Sequence, residues 1–220
     1  MNRNRKQTIL LTTLLIASLA IIIFITRGIL QNGSFQLDAA LSKYFTRTIT
    51  TDWLHILETL ALSASKPAMI TISLLVIGIL WIKKRDYAGM ITVFVFVMGG
   101  NIVNKLIKSW TQRERPTGNM LEDGFSFPSG HVMVGFIMYG LIVYFIYHYT
   151  SNAIIKNTSF LIVSLLLICI GVSRVAAGEH YATDVIAGYA FGGFFLVIAI
   201  KLYQLMTQER NAIQQVHRDV

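Results

Sequence analysis

A single cysteine, Cys169, lies inside an apolar run of this 220-residue chain. One thiol excludes an intrachain disulfide framework and a cysteine-built zinc site, and packing as a small apolar group accounts for it. Charge is also scarce, at 14% of residues against 54% hydrophobic, which departs from the composition of ordinary soluble domains. The net charge of +8 gathers into no patch or stripe. Its basic residues sit at the edges of apolar runs, which argues against nucleic acid as a partner. There is no obvious carboxylate set of the kind that holds two metal ions, and no convincing repeat or low-complexity segment. A small-x-small cleavage site is also lacking before Arg27, so the basic start and the apolar stretch from Thr8 to Ile25 are expected to persist as an uncleaved first span.

What is present is a series of apolar runs long enough to cross a bilayer, about 17–25 residues each. The expected fold class is all-α: a polytopic membrane protein with six transmembrane helices plus an interfacial amphipathic helix, forming a single domain over 1–220. The spans fall at about 8–26, 66–82, 87–110, 129–149, 159–171 and 181–205. Between the first two, Leu37, Leu41, Tyr44, Phe45 and Ile49 recur at helical spacing among Asp38, Lys43 and Arg47, the pattern of a helix lying in the interface. Asp52 is expected to cap a short helix from Trp53, and Pro67 suits the first turn of the second span. Asn101, Asn104, Lys105 and Lys108 share much of one face of the third span, a face that is costly against lipid. Gly188 and Gly192 fit close packing of helix backbones.

An even number of spans puts both termini on one side, together with Arg3, Arg5, Lys6, Lys83, Lys84, Arg85, Lys156, Arg210 and Arg218. The positive-inside rule makes that side cytoplasmic. The end of span three, the start of four, the end of five and the start of six then share the outer side. Polar residues concentrate there: Lys108 and Arg115; Ser129, Gly130 and His131; Ser173 and Arg174; His180 and Asp184.

Each group has a plain reading and a chemical one. If the sixth helix begins near Gly178, His180 and Asp184 share one face with Cβ atoms about 5–6 Å apart. The carboxylate can then accept the Nδ1 hydrogen and leave Nε2 as nucleophile or base; alone, the pair reads first as a helix start with an acidic first turn. Ser129 caps a helix or, with Gly130 and the free N–H groups of that helix start, seats an anion. Lys108, Arg115 and Arg174 each suit headgroup contacts, yet three cations at one pocket repel unless a multivalent anion sits among them.

Lys108-x6-Arg115-Pro116, Pro128-Ser129-Gly130-His131 and Ser173-Arg174-x5-His180-x3-Asp184 together resemble the three-part signature of the type 2 phosphatidic acid phosphatase superfamily. The resemblance is strongest to its small bacterial membrane members of the phosphatidylglycerophosphate phosphatase B type. It implies that His180 attacks phosphorus and forms a phosphohistidine, that Asp184 orients it, and that His131 protonates the leaving alkoxide and then activates water. It also implies that Lys108, Arg115, Ser129, Gly130 and Arg174 hold the phosphoryl oxygens, with no metal and no cofactor. The expected substrate is a lipid phosphate in the cytoplasmic membrane of a bacterium. Phosphatidylglycerophosphate is favoured, with undecaprenyl pyrophosphate and phosphatidic acid as competitors. A lipid phosphotransferase is the rival enzyme, and a lipid-binding or transport protein with an anion site is the rival without chemistry.

Overall fold

The computed structural model describes residues 3–116 and 124–216, with side chains described from residue 9 to residue 208 outside the internal gap. Arg3, Arg5, Lys6 and Arg210 thus lie outside the described side chains, and Arg218 outside the described residues. The helices are α1 (Arg3–Asn32), α2 (Gln36–Thr48), α3 (Thr51–Ala61), α4 (Lys66–Ile79), α5 (Tyr87–Thr111), α6 (Gly130–Tyr149), α7 (Ala153–Ala176) and α8 (Ala182–Val216). A 3₁₀ turn at Leu62–Ala64 follows α3, and a π turn at Leu80–Lys84 extends α4.

Among the described residues, six helical segments are long and apolar enough to cross a membrane: Ile9–Asn32, Lys66–Lys84, Tyr87–Thr111, Gly130–Tyr149, Ala153–Ala176 and Ala182–Gln208. The all-helical, six-span expectation holds, and the boundaries shift for local reasons. The fifth helix starts well before residue 159 because Asn152 caps it, its side-chain oxygen accepting the N–H groups of Ile154 at 2.9 Å and Ile155 at 3.2 Å. It continues beyond residue 171 because Ser173 and Arg174 turn inward and are buried. The first helix runs past Thr26 to Asn32 and stops at Gly33, whose φ of 71° suits glycine.

Helix α6 sits at the centre. Val132, Met133, Ile137, Met138 and Leu141 are fully enclosed, and a helix apolar on every side belongs in an interior. Helix α8 packs most extensively against it, α7 and α5 flank it, and α1 lies on α8. The expectation for the two glycines holds: a Cβ at Gly192 would stand 2.7 Å from the Phe136 Cβ and 3.0 Å from the Met133 carbonyl oxygen. One at Gly188 would stand 3.1 Å from the Ser129 carbonyl oxygen, so absent side chains bring α8 onto the first turns of α6. Large exposed apolar residues such as Leu10, Ile16, Phe24, Leu74, Leu75, Phe160 and Leu161 lie on α1, α4 and α7, forming the surface that suits lipid.

At the membrane face opposite Ser129, Asp86 caps α5 by accepting the Gly89 N–H at 3.0 Å. The same buried carboxylate accepts the hydroxyls of Tyr149 at 2.5 Å and Tyr203 at 3.0 Å. This clasp joins the start of α5 to α6 and α8.

The segment between the first two spans departs from expectation. Both expected helices form, but α3 starts at Thr51 with Thr50 as N-cap, so Asp52 is an acidic first-turn residue rather than the cap. Leu37 and Tyr44 are exposed, while Leu41 and Phe45 pack on the core. Asp38, which a polar face would put in water, is 1% exposed. It shares the inward stripe of Leu41 and Phe45 at helical spacing.

Gly192→Val should lower the melting temperature in detergent, at a cost of about 1–3 kcal/mol for overpacking. Gly99→Ala, where a Cβ meets nothing within 4 Å, should be neutral or stabilising. A Gly192→Val protein that melts like wild type would contradict the close α6–α8 contact.

Candidate active site

Three polar segments converge at one end of the bundle because each terminates or begins a helix there. Helix α5 ends at Gln112, whose φ of 48° lies in the left-handed region and reverses the chain behind Lys108. The chain returns beside this end: Ser126 donates its N–H to the Arg113 carbonyl at 2.8 Å, and its hydroxyl donates to the Glu114 carbonyl at 3.0 Å. Lys108 donates from Nζ to the Phe125 carbonyl at 2.6 Å. Buried Asn104 donates from Nδ2 to the Pro128 carbonyl at 3.1 Å, setting the height at which α6 begins. Asn104 thus faces inward as its neighbours suggested, whereas Lys105 is exposed.

Ser129 occupies the N-cap position of α6, yet its hydroxyl makes no capping bond. That hydroxyl is buried and has no hydrogen-bond partner among the described residues. Its backbone N–H donates to the Asp184 carbonyl at 3.1 Å, tying the start of α6 to the first turn of α8. Gly130 opens α6, and His131 follows it, half-buried on the same first turn. A Cβ at position 130 would approach the Asn104 Oδ1 to 3.1 Å, so glycine keeps this anchor undisturbed.

The turn between α7 and α8 carries the third group. Gly178 has a φ of 71°, and Glu179 and His180 both donate their N–H groups to the Arg174 carbonyl, at 3.2 and 3.1 Å. Helix α8 starts at Ala182, not near Gly178, so His180 precedes the helix instead of sharing its face with Asp184. The turn still brings them together: His180 Nδ1 lies 3.6 Å from Asp184 Oδ2, with both side chains fully buried. This separation is longer than a hydrogen bond, as such pairs often are before substrate arrives. Asp184 Oδ2 also accepts the Tyr181 N–H at 2.9 Å, which closes the first turn of α8.

Arg115 bridges the motifs, donating from Nη1 to the Glu179 carbonyl at 2.9 Å and from Nε to the Gly124 carbonyl at 3.0 Å. Arg174 pairs with the Glu179 carboxylate and donates to the Ser173 hydroxyl at 3.1 Å. Burial lowers the pKa of His180, the neighbouring Asp184 carboxylate opposes this, and the Lys108 and Arg115 cations add to the lowering. The imidazole is thereby favoured in its neutral form.

Two residues were missed by sequence reasoning. Arg113, 6% exposed, donates from Nη1 to Asp184 Oδ1 at 2.6 Å and to the Thr183 hydroxyl at 2.8 Å. From Nη2 it donates to Asp38 Oδ2 at 2.6 Å, and its guanidinium carbon lies 4.0 Å from the centre of the Tyr181 ring. Arg113 carried no signal beyond standing two residues before Arg115. Asp38 carried one: its register with Leu41 and Phe45 placed it on an apolar stripe, where a carboxylate requires a partner.

The chain belongs to the PAP2 superfamily, which is matched over residues 85–208. Among its relatives, phosphatidylglycerophosphatase B of Bacillus subtilis (strain 168) is 30% identical over 181 residues, covering 80% of this chain and 88% of the relative. Similar folds occur in two solved structures. The first is a transmembrane PAP2 type phosphatidylglycerolphosphate phosphatase from Bacillus subtilis, with a TM-score of 0.78 and 23% identity, covering 86% of this chain and 96% of that one. The second is LpxE of Aquifex aeolicus, with a TM-score of 0.60 and 21% identity, covering 76% and 97%.

Replacing Asn104 with alanine should cost about 0.5–1.5 kcal/mol for the lost hydrogen bond to Pro128 and lower turnover with it, since α6 loses its anchor. A thermal melt and a phosphate-release assay on the same sample check this, and an unchanged melt with unchanged turnover would refute it.

Proposed function

We propose that this protein is a membrane lipid-phosphate phosphatase that works through a phosphohistidine at His180. The observation that carries the reading is the meeting of the buried His180–Asp184 pair with Arg115 and the start of α6 at one end of the helices. An anion-binding protein has little use for a neutral buried imidazole backed by a carboxylate, whereas a phosphoryl-transfer enzyme uses it as nucleophile.

The steps follow from the atoms present. His180 Nε2 attacks phosphorus as the bond from phosphorus to the lipid oxygen breaks, and Asp184 faces Nδ1 to favour the cationic ring. His131 gives its proton to the departing alkoxide. It then takes a proton from water, whose oxygen attacks the phosphohistidine and releases inorganic phosphate with free His180. Lys108, Arg115 and Arg174 hold the non-bridging oxygens and offset their spreading charge, with an arriving phosphate competing with Glu179 for Arg174. The partnerless hydroxyl of Ser129 and the backbone N–H of Gly130 at a helix start supply neutral donors.

A lipid substrate is supported by the surroundings. A largely apolar groove runs between α1, α5 and α8, lined by Ile22, Ile23, Thr26, Leu30, Ile107, Trp110 and Phe191 with Arg27 among them, and Ile107 directly precedes Lys108. An acyl or prenyl tail can stay in such a groove while the headgroup reaches the cations. The likeness to phosphatidylglycerophosphatase B favours phosphatidylglycerophosphate, giving phosphatidylglycerol and phosphate. Comparing kcat/KM across phosphatidylglycerophosphate, phosphatidic acid and undecaprenyl pyrophosphate identifies the preferred lipid.

His180→Ala should abolish phosphate release while the folded protein still binds phosphate; substantial hydrolysis by that variant would remove His180 as nucleophile, and a lipid product retaining the phosphate would favour transfer over hydrolysis. The distribution of basic residues supports a site on the outer face of the cytoplasmic membrane. With Cys169 replaced by serine, a cysteine at exposed Ser34 should react with an impermeant maleimide on intact cells, and one at exposed Ser151 only after permeabilisation. The reverse labelling would invert the orientation.

A further inference from the structure

We propose that Asp38, on the interfacial helix α2, is a positioning residue that sets the charge facing His180: by occupying the Arg113 guanidinium, it leaves Asp184 with an uncompensated negative charge toward the imidazole. The inference rests on the reading of His180 as nucleophile and deepens it. Residue 38 lies outside the 85–208 segment that matches the superfamily, so this part of the machinery comes from the N-terminal helices.

Geometry restricts Asp38 to an indirect role. Its Oδ2 accepts from Arg113 Nη2 at 2.6 Å and from the Phe35 N–H at 3.2 Å. Its Oδ1 accepts the Thr183 N–H at 2.9 Å and the Thr183 hydroxyl at 2.8 Å. With a side chain 1% exposed, it touches the residue before Asp184 and the cation beyond it, but not the imidazole. Through Thr183 it fixes the first turn of α8, and through Arg113 it sets the charge.

Two carboxylates and one guanidinium in direct contact leave one net negative charge. Without Asp38, the Arg113–Asp184 pair would be neutral. When Nε2 bonds to phosphorus and the alkoxide leaves with the proton from His131, the ring keeps its Nδ1 hydrogen and becomes cationic. That cation is the state a net negative neighbour stabilises most.

Among the described residues, the other charged and titratable groups that act on or adjoin His180 are Lys108 at the end of α5, Arg115 in the following loop, Arg174 on α7, whose carbonyl accepts the His180 N–H, and the adjacent Glu179 and Tyr181, while His131 stands on the first turn of α6. Lys108 and Arg115 both oppose a cationic imidazole, and the Glu179 carboxylate is paired with Arg174. The negative charge released by Asp38 is thus the counterweight on the Nδ1 side.

The test measures phosphate release by the full-length protein in detergent, against a lipid phosphomonoester, across pH. Asp38→Asn keeps the shape and removes the charge. It should lower kcat by about 10–100-fold, the scale on which outer partners act at metal-bound histidines, with KM unchanged. Its ascending limb of kcat/KM should move to lower pH, because a less negative surrounding makes the imidazolium easier to deprotonate. Arg113→Gln leaves two carboxylates and should move the limb to higher pH, and the double variant should return it towards the wild-type position.

A merely structural role would weaken all three proteins without displacing the limb in opposite directions. A limb unmoved in folded Asp38→Asn, or moved the same way by both single variants, overturns the proposal. Each single variant decides by the direction of its own shift, so loss of folding in one leaves the other to decide. If neither folds, Arg113→Lys decides: it keeps the charge and should lower kcat with the limb in place, and a displaced limb refutes the charge argument. His180→Ala measured in parallel separates the two readings. Persisting turnover there removes the nucleophile itself, whereas an inert His180→Ala protein with an unmoved Asp38→Asn limb removes only the role of Asp38.

Discussion

The ion chain from Asp38 through Arg113 to Asp184 is the contact on which the rest of this end of the molecule depends. It joins an interfacial helix, the loop after α5 and the first turn of α8, three segments with no local reason to meet. Both carboxylates and the guanidinium are almost wholly withdrawn from water, and such groups are costly to bury unless paired and hydrogen-bonded. Here pairing is dense: Thr183, Phe35 and Tyr181 supply further donors to the two carboxylates. The arrangement therefore holds as a unit. It also limits where His180 can stand, since the α7–α8 turn ends directly on this cluster.

The membrane supplies the complementary constraint. A lipid-facing surface accepts no unpaired polar group, so polar side chains collect where helices end and face one another. At one end of the bundle these are the motif residues, and at the other they are Asp86, Tyr149 and Tyr203. Between the two, α6 is enclosed in apolar contacts, and Gly188 and Gly192 let α8 come close enough for Ser129 to donate to the Asp184 carbonyl. Backbone proximity, set by two missing side chains, thus brings the start of α6 to the first turn of α8 beside His180.

The ordinary helix signals were legible in the chain, with errors that have local causes. The six spans could be read from apolar length alone, but the fifth was shortened because Lys156 and Asn157 at one end and Ser173 and Arg174 at the other look like termini in a hydropathy reading. Capping by Asn152 starts the helix ahead of Lys156, and burial of Ser173 and Arg174 keeps them within it. His180 and Asp184 were paired on the premise of a helix starting near Gly178; their contact arises instead from a turn that brings His180 back to the first turn of α8. Ser129 was ambiguous between cap and ligand donor, and its hydroxyl makes no capping bond.

By itself, the sequence determined what depends on neighbours along the chain: six apolar spans, an amphipathic segment between the first two, three motifs and their spacing. These are set by side-chain periodicity and helix-end chemistry within a few residues. Only the tertiary structure decided that Asp38 faces inward, that Arg113 joins it to Asp184, and that Arg174 rests on Glu179. The first two contacts link residues 75 and 71 positions apart, and no local pattern encodes which distant carboxylate a buried guanidinium will meet. That choice is made by helix packing, because burying a charge is tolerable only where the fold delivers its counter-charge.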